Sequence, residues 1–516
     1  MCPSRASHQD RELIKLLSPE QKPRILVLGD LILDRYIRGC VDRICPEGQA
    51  PVLRQKSRRF MAGGAAAVAS MAAALGAEVK LAGFIGVDWA SIRLGEMLAR
   101  HHVNNELLTF APGRTTPVKT RFLVGESCSQ RNLVLRWDEE PYKQVSFNAS
   151  GQLLSLIDKQ LSDGWPQVVL IADYGKSLDS LLVATVIEKA NKAGIPALAD
   201  PCAERPISIY RNSTWFLPNR TECARFAGCE YVSIEDALET AKMLAKKFNL
   251  SYVVAKVDSS GLAYFDKKQD KHMFLSPHCR PDDVIDPCGA GDMLLAVIGY
   301  GTAVGADNRD AVRLANIAAG CKLRHIGPYP MSWAELVVRI ARQSRQDGPE
   351  SKIVGLDDLD IILRAYRKLG RKITFTNGCF DVLHPGHLAT LEYAGRHSNI
   401  LVVGVNSDRS VRELKGPGRP IIPQEYRLKV IASLEYVDWV VVFDSVSVAP
   451  VIERIRPDVL VKGGKEDPKS VVGADFVTSY GGALLLGPAV EGWGTTEVVR
   501  RIRKKTVKTR RRSKAD

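Results

Sequence analysis

The 516-residue chain has no run of about 20 apolar residues free of charge, the length a helix needs to cross a bilayer, so no membrane span is expected. It contains no CxxC pair: its eleven cysteines are scattered, and none lies beyond Cys379. That spacing excludes a cysteine-cage zinc site and a thioredoxin-type motif, and it fits reduced thiols in a cytoplasm. The opening MCPSRASHQDRELIKLL has neither a long apolar stretch nor a small-residue cleavage site. A secretory signal is therefore not expected, and a cytoplasmic location is.

Uniform basic charge is lacking too. Of a formal net charge of +14, ten positive charges sit in RRIRKKTVKTRRRSK (500–514), which leaves +4 for everything else. Such a tail reads as a solvated terminus, or alternatively as a tether to RNA or anionic lipid. No aromatics interleave with it to stack bases, so a nucleic-acid partner is not expected.

What is present is a 45% hydrophobic, 25% charged composition, typical of a globular protein and long enough for two to four domains. Apolar β-branched runs alternate with amphipathic helical stretches, which predicts α/β layers. RILVLGDLILD, VKLAGFIG, VVLIADYG, IPALADP and SYVVAKV read as strands of a first sheet, and KITFTNG, NILVVGVNSD, WVVVFD and DVLVKGG as strands of a second. The polar ARQSRQDGPESK (341–352) reads as a linker between domains at 20–340 and 353–503, with a basic tail at 504–516. VKTRFLVG, NLVLRWDEE and APVLRQKSRRF break the rhythm with a two-residue period. They predict a small β lid on the first domain, through which a homodimer could form.

The chemistry of the first domain centres on VIDPCGAGDMLLAVIGYG (284–301). Gly289, Ala290 and Gly291 make a compact turn opening an apolar helix, so their N–H groups and the helix N-terminus form an anion hole. Asp292, beside that hole, is placed to take a proton from a hydroxyl attacking phosphorus. A plain Gly-rich helix start would look similar. Three further features favour the phosphoryl-transfer reading. GDLILD places Asp30 and Asp34 at the C-terminal end of the first strand, where α/β sheets bind ligands. Gly63-Gly64 precede a helix of small residues, and Asn219 and Glu222 are spaced for magnesium and its waters.

Over roughly residues 20–340 this order of motifs resembles the ribokinase-like carbohydrate kinases. The resemblance implies Asp292 as catalytic base, Gly289–Gly291 as anion hole, and Asp30, Asp34, Gly63 and Gly64 on the sugar side. RICPEGQAP (43–51) and DYGKS (173–177, with Lys176) are similar to segments of the heptose-phosphate members. Alanines 65–67 stand where the family has an Asn, Cys288 where it has Thr, and Cys202 where a Lys is common.

The second domain opens on TNGCFDVLHPGH (376–387), which sets His384 and His387 between a strand end and a helix start. Zinc on a helix wants HExxH spacing plus a distant third ligand, whereas this pair is i and i+3 across Pro-Gly with no acid between and no neighbouring Cys pair. Two imidazoles with helix N–H groups instead suit a triphosphate. VNSD offers Asn406 and Asp408, the stretch 412–434 offers Lys415, Arg419 and Arg427, and LVKGG offers Lys462 and Gly463. WGTTEVVRRI opens the last helix with Thr495 and Thr496, as phosphate contacts or as a simple cap. This set is similar to the HxGH nucleotidyltransferases, a Rossmann-like fold, and by that resemblance Asn377, Gly378, Phe380 and Asp381 join the nucleotide site.

The pairing of the two halves is identified with the bifunctional heptose 7-phosphate kinase/heptose 1-phosphate adenylyltransferase family. The resemblance implies ATP and heptose phosphates as substrates, Mg2+ as cofactor and ADP-heptose for the lipopolysaccharide core as product. The alternative is a transferase whose kinase-like half is chiefly a dimerising scaffold.

Overall fold

The computed structural model describes residues 5–18, 20–125, 132–141, 144–228, 233–345, 348–464, 466–494, 498, 500 and 501. Two compact units divide it: Pro19–Trp333, and Met1–Ser18 together with Ala334–Asp516.

The first unit is built on a nine-stranded sheet. Arg24–Gly29 runs parallel to Glu78–Ile85 on one side and Val168–Ala172 on the other, and Leu262–Asp266 and Lys271–Leu275 close one edge in antiparallel pairing. The central strands are buried on both faces, which is why they read as unbroken apolar runs. The helix Ala65–Ala74 is buried almost throughout, and its alanines let it lie close to the sheet.

The lid is real and larger than expected. Four strands in the order Pro51–Gly64, Leu31–Ile44, Val118–Val124, Asn132–Glu139 form a separate sheet. GDLILD is thus not one strand end. The central strand stops at Gly29, and Asp34 lies inside the first lid strand.

The second unit has a parallel five-stranded sheet ordered Trp439–Phe443, Ile400–Asn406, Ile373–Gly378, Val459–Gly463, Ala483–Gly487. The strand order reverses between Ile373–Gly378 and Val459–Gly463, and such switch points open a crevice at the strands' carboxyl ends.

Most of the stretch expected as a linker is helix or turn, with residues 346 and 347 outside the described residues. Residues 341–344 finish the helix Trp333–Ser344, whose apolar face is buried, and Pro349–Lys352 forms a 3-10 turn. Its polar composition reflects the exposed side of these elements. The helix Arg5–Leu16 also belongs to this unit: Arg11 Nη2 donates to the Ile353 carbonyl at 2.6 Å, and Ser344 Oγ to Asp10 at 2.6 Å.

Candidate active sites

In the first unit a cavity of about 990 Å3 lies at the carboxyl ends of the central strands, and Asp200, Asn219, Glu222, Lys256, Asp292 and the Gly289–Gly291 turn line it. Gly289 takes φ 85° as the residue capping the helix Ala290–Ala303, and a Cβ there would sit 2.9 Å from Pro328 Cα. Only glycine fits that conformation comfortably. Asp292 is 5% exposed. The Tyr174 hydroxyl donates to its Oδ1 at 2.5 Å. Burial pushes the Asp292 acid up to about 7, against the pull of the tyrosine hydrogen bond and Lys256.

Lys256 and Asp200 form a largely buried ion pair at the turn, and a Cβ on Gly291 would lie 3.4 Å from Lys256 Nζ. An ammonium thus stands beside the Gly289–Gly291 turn. Asn219 and Glu222 form a reciprocal capping box, with Glu222 accepting from Asn219 N at 2.6 Å and from Nδ2 at 2.7 Å. Burial raises the Glu222 acid to about 7, with Lys256 pulling it down and Asp200 pushing it up.

The two aspartates expected on the sugar side differ. Asp30 is fully buried and accepts from the backbone N–H groups of Tyr174, Lys176, Ser177 and Leu178 and from the Ser177 hydroxyl. It shapes the loop that carries Tyr174, and its oxygens are spent on that loop rather than held for a sugar. Asp34 pairs with Arg121 at the foot of the lid, and a Cβ on Gly63 would collide with it. Gly64, at φ 58°, lies against the Asp30 carbonyl. Lys176 Nζ pairs with Glu140 at 2.6 Å. Arg121 also donates to Cys288 Sγ at 3.2 Å, and burial holds that thiol protonated by raising it to about 11. Ala65–Ala67 are buried in packing, and Cys202 packs against Gly175, where a Cβ would come within 2.8 Å of its sulfur.

Tyr174, Asp200, Lys256 and Arg121 were not singled out from the sequence. Lys256 carried a usable signal, as a charged residue closing the apolar strand Tyr252–Lys256. Arg121 carried none, being one of several charges on an alternating ribbon.

In the second unit a cavity of about 670 Å3 occupies the switch-point crevice. Asn377, Gly378, Phe380, His384, His387, Asn406, Lys415, Lys462 and Gly463 all line it, as expected. The imidazoles of His384 and His387 stack with centroids 3.7 Å apart at the start of the helix Pro385–Arg396. Burial, His384 and Lys415 push His387 down to about 4, and burial and Lys415 lower His384. Both rings are therefore neutral donors at physiological pH. Asn377 Oδ1 and His387 Nδ1 are buried without a hydrogen-bond partner among the described residues, a costly state that a polar ligand would relieve. Phe380 takes φ 49°, and Gly463 abuts Thr390 of the histidine helix so closely that no Cβ would fit.

Four residues expected at this site serve the frame instead. Arg427, 1% exposed, donates to the carbonyls of Ile422, Cys379 and Asn406 and to Asp408 at 2.7 Å. Asp381 accepts from Arg419 at 2.5 Å and from the N–H groups of Ile421 and Ile422. These two pairs tie the loop 416–423 to the strand ends, and Nε, Nη1 and Nη2 of Arg427 are all engaged. Thr495, Thr496 and the tail from 504 lie outside the described residues.

Residues 22–335 match the pfkB family carbohydrate kinase, and residues 375–479 the cytidylyltransferase-like family. The first unit shares its fold with phosphofructokinase-2 from Escherichia coli in complex with substrates and products (TM-score 0.52, 20% identity, 63% of this chain and 100% of that one). A putative ribokinase from Agrobacterium tumefaciens aligns comparably (TM-score 0.51, 19% identity, 63% and 99%). Fold and sites define a two-domain α/β enzyme, a carbohydrate kinase joined to a nucleotidyltransferase.

Relatives match over nearly the whole chain. Bifunctional protein HldE of Methylobacillus flagellatus is 36% identical over 482 residues, covering 93% of this chain and 96% of its own. That of Azorhizobium caulinodans is 34% identical over 490 residues, covering 95% and 100%. The chain belongs to the HldE family of bifunctional proteins.

Proposed function

We propose that the kinase unit transfers the γ-phosphate of ATP to the anomeric hydroxyl of heptose 7-phosphate, giving heptose 1,7-bisphosphate. After a phosphatase removes the 7-phosphate, the second unit joins heptose 1-phosphate to the adenylyl group of ATP, giving ADP-heptose and pyrophosphate for lipopolysaccharide core synthesis. The observation that carries the kinase half is Asp292, raised to about 7 by burial and held by Tyr174 beside the Gly289–Gly291 turn. A base near neutrality can take the sugar proton as the hydroxyl attacks. The stacked neutral histidines carry the other half, donating to the α-phosphate as charge builds while Lys415 and Lys462 face the same cavity. The scaffold alternative is disfavoured, since base, anion turn and cavity are all assembled.

Magnesium fits the kinase cavity. Asp200, Glu222 and Asp292 offer hard oxygen donors there, while no closed cage of three or more ligating side chains exists among the described residues. That donor set suits an ion held by Glu222 through water and by nucleotide phosphates, where it would neutralise phosphate charge. The homodimer is assigned to the lid, whose last strand leaves Leu133, Leu135 and Trp137 more than half exposed.

The test is to incubate the full chain with ATP and, separately, heptose 7-phosphate, heptose 1-phosphate and a panel of other sugar phosphates, following products by mass spectrometry. Heptose 1,7-bisphosphate and ADP-heptose are expected. Turnover of other sugars with none of the heptoses rejects the assignment.

A further inference from the structure

Behind the anion turn of the kinase unit lies a buried cation that the reaction as described does not use. Lys322 ends the helix Asn308–Lys322 and is 0% exposed. Its ammonium donates to the carbonyl oxygen of Asp286 at 2.7 Å. No carboxylate lies within 4.0 Å of it in any ion pair among the described residues. Its one hydrogen bond among the described residues goes to a neutral carbonyl, and burial lowers its pKa, offset in part by the Asp286 and Asp292 carboxylates farther off. Leucine or methionine would fill the same space without burying a charge.

The position of that carbonyl explains the charge. Asp286 opens the segment Asp286-Pro287-Cys288-Gly289 that leads directly into the anion turn. Its carboxylate is clamped from three sides: Oδ1 accepts from Cys288 N at 2.9 Å, and Oδ2 from Gly327 N at 2.8 Å and the Tyr36 hydroxyl at 3.2 Å. Its own N–H reaches the Leu323 carbonyl. Asp286 is thus held by the residues that follow Lys322 and, through Tyr36, by the lid. Lys322, which does not itself line the cavity, completes this clamp with a positive charge on the Asp286 carbonyl.

We propose that Lys322 is a positioning residue of the kinase, a tethered cation that fixes the Asp286–Gly289 segment and lends the anion turn positive potential when the transferred phosphoryl group arrives. Unlike Lys256, which reaches the cavity, it acts through the peptide chain and touches no substrate. Negative charge on the phosphate adds to the partial compensation that Asp286 and Asp292 give in the resting fold. The effect belongs to the transition state more than to sugar binding, because the turn faces the moving phosphate.

Lys322→Met in the full chain tests this. A kcat for phosphoryl transfer lower by roughly 10- to 100-fold is expected, with the KM for the sugar phosphate within about threefold of wild type. The more direct readout is rescue. In Lys322→Ala, ammonium or methylammonium ions should restore activity at least several-fold, while leaving the wild-type rate unchanged. A folded Lys322→Met enzyme with near wild-type kcat overturns the proposal, as does Lys322→Ala that folds but gains nothing from either amine. Should Met, Ala and Gln variants all fail to fold, with or without amine, the side chain serves the fold alone and the proposal falls. Wild-type phosphorylation of the sugar is the prior control.

Discussion

The Tyr174 hydroxyl lies 2.5 Å from Oδ1 of Asp292, so the proposed base of the kinase is hydrogen-bonded by a neutral donor rather than by a cation. A charged partner would have held the carboxylate strongly acidic. The phenol stabilises the ionised form modestly, burial opposes it, and the balance falls at about 7.

Phosphoryl transfer should therefore follow ionisation of Asp292, with kcat/KM rising through pH 7. Tyr174→Phe removes the hydrogen bond that favours the carboxylate, so the rising limb should move to higher pH and kcat should fall roughly 10-fold. A pH–rate profile checks this, and an unmoved limb contradicts it.

The same burial makes Asp292 a destabilising group. Its folded-state pKa is raised above that of the unfolded chain, so stability is lost as pH rises from about 4 through 7. Asp292→Asn should abolish kinase turnover yet stabilise the kinase unit by on the order of 1–3 kcal/mol at pH 8. The gain should shrink at pH 5, which thermal melts at both values would reveal.

In the transferase, His387 sits at about 4, so it stays neutral well below the usual imidazole range. Adenylyl transfer should show no loss attributable to this ring between pH 8 and pH 5.5. His387→Ala should lower kcat by about 100- to 1000-fold with kinase turnover intact. An acid limb near 6.5 in pyrophosphate-release assays would argue against the neutral pair.

Arg427 offers a contrast between frame and ligand. Its guanidinium is spent on three carbonyls and Asp408. Arg427→Met should destabilise the second unit by about 3 kcal/mol, lowering the denaturant midpoint of that unit. A raised KM for sugar phosphate with unchanged stability would instead make it a substrate contact.

Short motifs exposed most of the reactive groups because the chemistry is local. The glycine turn opens the helix that carries Asp292, and the two histidines sit where a strand end, a loop and a helix start fall within a dozen residues. The periodicity of VKTRFLVG and NLVLRWDEE likewise announced the lid. What stayed hidden depends on distant pairing. Tyr174 and Asp292 are 118 positions apart, and Arg121 and Cys288 are 167 apart. Nothing near Arg427 marks it as enclosed, so a buried structural arginine and a phosphate-binding one look alike in sequence. Asp30 misleads for the same reason, since its acceptors are filled by a loop 144 to 148 residues away.

The helix Arg5–Leu16 precedes the kinase unit in the chain and belongs to the unit that follows it. With Pro19–Trp333 intervening, the kinase unit is in effect an insertion within the transferase. At about 5–20 residues per second, synthesis of those 315 residues would leave the helix waiting some tens of seconds for its partner Leu356–Lys368. No single cut in the polypeptide yields both units whole. A fragment beginning after Trp333 would lack a piece of its own wall, so expressing the transferase by itself calls for grafting the first 18 residues back onto it.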